Sequence, residues 1–487
     1  LLAALLRFTN IGWSFSNNGI DEGIMLERAL LISRGFNLYS ELPTDQAPLW
    51  LQIGAIFGGD VLQSRILNAT VSILALIACM VISRRLAGNT AMWMTGILLA
   101  VDFAFLRESR LFSLDGASSF FLAFSMLALL IAIERNSKLA LMGGGFLLGL
   151  STVSKLHGGI ALLGILVFFL VERYRRDAVQ KWNNADLGLL IVAFVIPIVA
   201  FMISLGPEDV LQGMVFNQMH RDFDFYLKLS LIAFFGLNIG YIFPLVCIRS
   251  FWRRGPEIRL LLCIVLALLA YFILQPLIFF HHLALLSPPL AILAGVLFSD
   301  ILAKRIEKAD TTPAPKMKRF DFSVNSMLAI LITGLVISGG LASYGLMTQG
   351  KPSQMIYAEK LQQMTGEDDY VIAGDPLIAA YADRPIPPTA VNIAYRMYPQ
   401  LTTKDLHTAI IEYNVSVVIV CYRLNEMEDL VGILSSEGFV RISPEYIGEG
   451  EPGTLDLFQE GIEPTAFFVE ESLAEELQLP IVPSDFS

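Results

Sequence analysis

The sequence predicts an α-helical polytopic membrane protein of about eleven spans, the first truncated, followed by an extracytoplasmic α/β domain. Three observations carry this. Of 487 residues, 55% are hydrophobic and only 16% charged, with a mean hydropathy of +0.61; soluble domains carry closer to a quarter charged residues. Apolar runs long enough to span a bilayer recur as far as about residue 347. Charge is also divided: from Gly350 onward there are 23 acidic and 7 basic residues, about −16, so against a total of −11 the rest is near +5. Residues 1–348 therefore read as a membrane domain and 349–487 as an acidic domain with different surroundings. No basic face emerges that would suit nucleic acid.

The opening LLAALLRF is too short to span and reads as the tail of a first helix, with any targeting information lying upstream of the sequence. GIDEGIMLERALLIS is amphipathic enough to lie flat in the membrane interface, with Ile20, Ile24 and Leu31 on one side. Spans follow at about 61–83, 87–106, 115–133, 186–205, 229–248, 259–280, 283–302 and 326–347. A shorter pair, 139–153 and 157–171, is separated by the polar SKLHGG, as in paired helices that line a cavity. Arg84-Arg85, Arg135 with Lys138, ERYRRDAVQKW, RSFWRRGPEIR and AKRIEKADTTPAPKMKR occupy every second connection, which places them in the cytoplasm. The remaining connections and the acidic tail then face outward. Cys79, Cys247, Cys263 and Cys421 show no CxxC spacing and read as small core or lipid-facing residues.

In the tail, DYVIAGD and VSVVIVCY have strand length and are rich in Val and Ile. TTKDLHTAIIEY has a threonine cap and helical spacing, and EDLVGILSSEGF continues the alternation. That order suggests a compact, partly parallel sheet. The last 25 or so residues, including VEESLAEELQLP, read as a loosely held acidic end.

Charged groups that this topology gathers at the outer membrane face are Asp21, Glu22, Arg107, Arg110, Asp115, Lys155, His157, His281 and His282. Ionisable groups near hydrocarbon are costly and mark function by default. Each also has a plainer reading. Asp21 and Glu22 suit the dipole of a helix start, or a carboxylate there removes a proton from an acceptor hydroxyl. Asp115 caps a helix beside a snorkelling Arg110, or shapes a sugar pocket while Arg110 binds phosphate. Lys155 snorkels, or it neutralises a lipid phosphate. His281 and His282, adjacent on an expected helix, point about 100° apart and suit hydrogen bonding to a phosphate better than joint chelation of a metal. In GPEDVLQGMVFNQMHRDFDF, residues Glu208, Asp209, His220, Asp222 and Asp224 form a solvated loop or supply an acceptor-site carboxylate.

DE, GFNLYSE, DQAPLWL, SRILNATVSILAL with RRLAG, SRLFSLDGASSFF, GLSTVSK and HHLALLSPPLAILAG stand in the order found in polytopic glycosyltransferases of the GT-C type. Over about residues 1–305 the chain resembles the dolichyl-phosphate-mannose protein mannosyltransferase and lipid A aminoarabinose transferase group. DYVIAGDPLIAAYADRPIPP resembles the outer domains of prokaryotic members.

The resemblance implies an outward-facing cavity that takes a polyprenyl-phosphate-linked sugar from the membrane of a prokaryotic cell. The acceptor would be a protein, lipid or glycan. It further implies that Asp21 stands at the position of the family's essential aspartate, with Glu22 completing the pair. Arg110 and Asp115 would match its R…LD element, and Lys155 its lysine element. Two departures stand out. Gln46-Ala47-Pro48 replaces a KPP motif, and the first loop lacks DxD, which weakens the case for a divalent metal without closing it. No required cofactor is implied, a divalent metal standing as the alternative. The rival reading is a lipid or sugar transporter or flippase with an outer sensing domain; the absence of a visible repeat and the gathering of charge at one boundary, away from the midplane, argue against it.

Overall fold

The computed structural model describes residues 1–13, 19–175, 183–219, 226–311, 326, 329–330, 332–341, 344, 351–393, 400–448 and 465–483. Among these, six helices are long and apolar enough to cross a membrane, or seven when the bent pair Leu229–Leu237 and Ile239–Val246 is taken as one span. The run expected at 229–248 is that pair, turned through 97°. Lys138–Ser154 and Ile332–Leu341 are shorter apolar helices. The two runs expected at 61–83 and 87–106 form one helical stretch, Val61–Val101, broken at Ala87 and Gly88. Gly88 has φ +80, a conformation that side-chain-bearing residues seldom adopt, so the glycine lets the chain turn back there.

The helices alternate in direction, which sorts the charges. Leu114–Arg135 runs from Asp115 to Arg135, Lys138–Ser154 returns to Lys155, and Ile160–Tyr174 descends again from the His157 turn. Pro256–Leu274 then rises toward Gln275, and Ser287–Thr311 descends from the His281 segment. Arg85 with Glu134, Lys138 with Asp186, Arg259 with Glu172 and Arg254 with Asp300 pair at the end away from Asp115.

The tail builds a five-stranded sheet from β1 (Val371–Ala373), β2 (Val417–Val420), β3 (Phe439–Ile442), β4 (Ala466–Glu470) and β5 (Ile481–Val482). The order is β1-β2-β4-β3-β5, with β1 and β2 parallel and the other pairs antiparallel. The expected strands and the helix Thr403–Glu412 are present, the latter closed by a Thr402–Asp405 capping box. One expectation fails. The segment read as a loosely held acidic end contains β4, in the middle of the sheet, with Phe467, Phe468 and Val469 buried. Acidic residues on either side mask a short apolar strand that the sheet needs for its core.

The tail core is continuous with the membrane body. Ile24, Leu31, Trp50 and Phe112 belong to the same buried apolar cluster as the sheet residues Val418 and Phe468. The bridge is the helix Gly19–Ser33, on which the acidic pair sits.

Candidate active site

Gly19–Ser33 begins with Asp21 and Glu22 in its first turn, yet the two carboxylates face different surroundings. Glu22 is buried and accepts two bonds from Arg65, at 2.8 and 2.6 Å, and one from the Phe112 amide at 2.8 Å. It ties its helix to the first long span and to the segment before the next. Asp21 is half-buried, and among the described residues none donates a hydrogen bond to it.

Asp115 lies at the entrance of the helix Leu114–Arg135, but the cap is Ser113, whose hydroxyl accepts from the Gly116 amide at 3.0 Å. The Asp115 carboxylate is thereby left for side-chain partners. Lys155 Nζ stands 3.4 Å from Asp115 Oδ2 and donates to Gln46 Oε1 at 2.9 Å. Lys155 ends the helix Lys138–Ser154 in an extended conformation, which aims the chain away from the helix axis. His281 Nε2 is 3.9 Å from the same Asp115 oxygen.

His281 and His282 do not diverge as expected. Phe280–Leu286 is a 3₁₀ turn before the helix proper, and the two rings lie 4.5 Å apart. His157 packs 4.6 Å from His282 and lies 3.5 Å from Gln275 Nε2. Lys228 donates to the carbonyls of Phe272, Ile273 and Gln275, holding that helix end in place. Asp115, His281 and His282 each offer one donor atom, all within 4.8 Å of one another. Two imidazoles and a carboxylate at that spacing suit a divalent cation such as zinc, though Lys155 competes for the carboxylate.

On the other side of Lys155, Gln46 Nε2 donates to Asp45 Oδ1 at 2.7 Å, and Tyr39 OH donates to the Gln46 carbonyl at 2.8 Å. Tyr39 has φ +74, so the loop over residues 35–47 holds backbone strain beside the cluster. Buried Arg28 faces Asp45, Tyr39 and Asp21; its burial outweighs those attractions and pushes the guanidinium down to about 10.

The structure thus brings Asp115, Lys155, His281 and His282 together, with Gln46, Asp45, His157 and Gln275 around them. It gives two expected residues other work. Arg110, expected to orient a carboxylate or hold phosphate, donates to the carbonyls of Leu6, Arg7, Thr9 and Asn10 and closes the end of the helix Leu2–Phe8. Glu22 is engaged with Arg65. Asp209 is exposed, on the short helix Pro207–Leu211 where a loop was expected. Asp222 and Asp224, with His220, lie outside the described residues. Asp45 and Arg28 went unnoticed in the sequence. Their signal was an acid just before the apolar APLW and a lone arginine inside IMLERALLI.

Residues 48–201 match the family model described as dolichyl-phosphate-mannose-protein mannosyltransferase. No curated protein is similar in sequence at a level that marks a relative. Solved structures are similar over nearly the whole chain. One is ArnT from Cupriavidus metallidurans bound to undecaprenyl phosphate, with TM-score 0.64, 15% identity, and 96% of each chain covered. The apo form of the same protein has TM-score 0.61 and 15% identity, covering 93% of this chain and 94% of that one. The oligosaccharyltransferase AglB from Archaeoglobus fulgidus, in complex with an inhibitory peptide and a dolichol-phosphate, has TM-score 0.55 and 16% identity, covering 94% of this chain and 74% of that one. The chain has the fold of the GT-C type polytopic membrane glycosyltransferases.

Proposed function

We propose that the protein is a membrane glycosyltransferase that moves a sugar from a polyprenyl-phosphate donor to a hydroxyl of a protein, lipid or glycan on the extracytoplasmic side. The observation that carries this reading is the convergence of Asp115, Lys155, His281 and His282, from three separate segments, at one end of the helices. Support also comes from the likeness to proteins whose structures hold undecaprenyl phosphate or dolichol-phosphate. The outward orientation of that end is supported by the gathering of arginines and lysines at the opposite one.

The acceptor oxygen attacks the anomeric carbon, and the bond from that carbon to the phosphate oxygen breaks, inverting the centre. Asp21 takes the acceptor proton. The electron pair leaves on the lipid phosphate, which is already anionic and needs no strong acid. Lys155, His281 and His282 hold that phosphate as its charge grows, and Asp115 orients Lys155. Where a divalent cation occupies Asp115, His281 and His282, it supplies the same charge neutralisation. Residues 1–348 carry this chemistry, and residues 349–487 form the acidic outer domain.

The test compares polyprenyl-phosphate sugars in membranes containing the wild type or Asp21→Asn, by mass spectrometry. Depletion of one lipid-linked monosaccharide by the wild type alone supports the reading and names the donor. Equal pools, with the variant equally well inserted, contradict the role of Asp21.

A further inference from the structure

The helix Gly19–Ser33 is held from the tail along one line of residues. At Gly23, a Cβ would come within 2.1 Å of the Leu377 amide nitrogen, so the two backbones touch. One turn on, Glu27 Oε2 accepts from the Ile386 amide at 3.0 Å. Further along, Arg34 donates to the Glu367 carbonyl at 3.0 Å and reaches Asp368 at 3.4 Å. Beside the helix, Arg65 donates to Tyr381 OH at 2.9 Å.

A different face carries Asp21, Met25 and Arg28, spaced one helical turn apart. Arg28 leans back along it, its Nη1 3.9 Å from Met25 Sδ. Its other terminal nitrogen donates to the Pro43 carbonyl at 3.4 Å and to Oδ1 of Asn392, a buried residue of the tail. Asp45 and Asp21 are the carboxylates whose charge Arg28 feels.

We propose that Asn392 is a positioning residue for the transfer reaction: its side-chain oxygen anchors Arg28 and keeps the guanidinium from collapsing onto the Asp21 carboxylate. A full ion pair with Arg28 would occupy the Asp21 carboxylate and block the approach of the acceptor hydroxyl. Anchored from the tail, Arg28 shares its charge with Asp45 and the Pro43 carbonyl. The acidic domain thereby takes part in the chemistry of a site built in the membrane body, and a chain with a detached tail would be slow even with every membrane residue intact. This inference rests on the proposed transferase reading.

The test measures kcat and the donor KM of the full chain for three variants. Asn392→Leu keeps size and removes the acceptor, Asn392→Asp keeps an acceptor oxygen, and Arg34→Ala weakens tail docking without touching Arg28. The expected result is a fall in kcat of about tenfold for Asn392→Leu, less than the ~10²–10⁴-fold that losing the base itself costs, with donor KM little changed. Asn392→Asp should restore most of the rate, and Arg34→Ala should stay near wild type. Wild-type kcat in Asn392→Leu overturns the inference, as does an equal loss in Asn392→Leu and Arg34→Ala, which would show that docking alone matters. Should Asn392→Leu fail to fold, Asn392→Asp against Asn392→Ser, which is too short to reach Arg28, decides by the same comparison. A wild type that transfers no sugar defeats the transferase reading itself, and is told apart from these outcomes by the wild-type rate.

Discussion

Replacing Glu22 by alanine would strip the buried Arg65 of its counter-charge, whereas replacing Asp21 would leave a half-buried site largely intact. Removing one partner of a buried pair costs about 3–5 kcal/mol, so Glu22→Ala should lower the melting temperature in detergent strongly. Asp21→Asn should melt like the wild type and lose transfer by about 10²–10⁴-fold. Equal melting of the two variants would contradict this division of labour. On the proposed reading, Lys155→Ala would remove a charge-assisted bond to the donor, worth about 1.5–3 kcal/mol. A rise in donor KM of about 10- to 100-fold is expected, read by titrating a purified lipid-linked sugar. At this scale the sequence named Asp115, Lys155, His281 and His282, since charges in apolar surroundings are conspicuous. It gave the base's part to Asp21, but it did not show that Glu22 pairs with Arg65 or that Arg110 serves main-chain carbonyls, because partners distant in sequence decide those roles.

The helix Gly19–Ser33 is the element on which site and tail meet, and its packing leaves little room. Gly23→Ala places a Cβ against the Leu377 backbone, and overpacking of this kind costs about 1–3 kcal/mol. The tail should then be cut sooner by protease under native conditions; an unchanged cleavage rate would mean that the contact gives way freely. Near the same junction Asp375 caps the helix Pro376–Ala382, accepting from the Leu377 amide at 3.0 Å and from Gln354 at 3.1 Å. Burial pushes its carboxyl up to about 6 against those bonds, and Glu22 adds to the shift. The folded chain therefore keeps a proton that the unfolded chain releases near pH 4. Between about pH 4 and 6 the folded state binds more protons, so stability falls as pH rises through that window and levels off above it. The term amounts to about 3 kcal/mol. Asp375→Asn should flatten it, seen as a smaller melting shift between pH 4.5 and 7 than in the wild type. A larger shift in the variant would reverse the sign. The helix itself was legible, but its expected place in the membrane interface was not borne out: residues 22–31 are buried on every side, because the tail covers the face that was to meet water. Strand β4 was not legible, because five residues among many acids give a weak period, and only its place between β2 and β3 reveals it.

For the whole molecule, the basic character of every second connection pointed to helices that descend and return, with Arg85, Lys138, Arg254 and Arg259 paired at the end away from Asp115. The number of spans was less legible. The turn at Gly88, the 97° bend near Asn238 and the new helix start at the Asp102 cap are local features of the backbone, and hydropathy averages over them. The docking of the tail was hidden altogether, since Glu27, Arg28, Arg34 and Arg65 find partners more than 300 residues away. An enzyme consumes its lipid-linked sugar, whereas a transporter relocates it unchanged. The purified full-length protein, reconstituted in liposomes with polyprenyl-phosphate sugars and an acceptor extract, separates the two when free polyprenyl phosphate is followed over time. Release of polyprenyl phosphate by the wild type, abolished in Asp21→Asn, is the expected result. Movement of intact lipid-linked sugar between leaflets with no polyprenyl phosphate released would contradict glycosyl transfer.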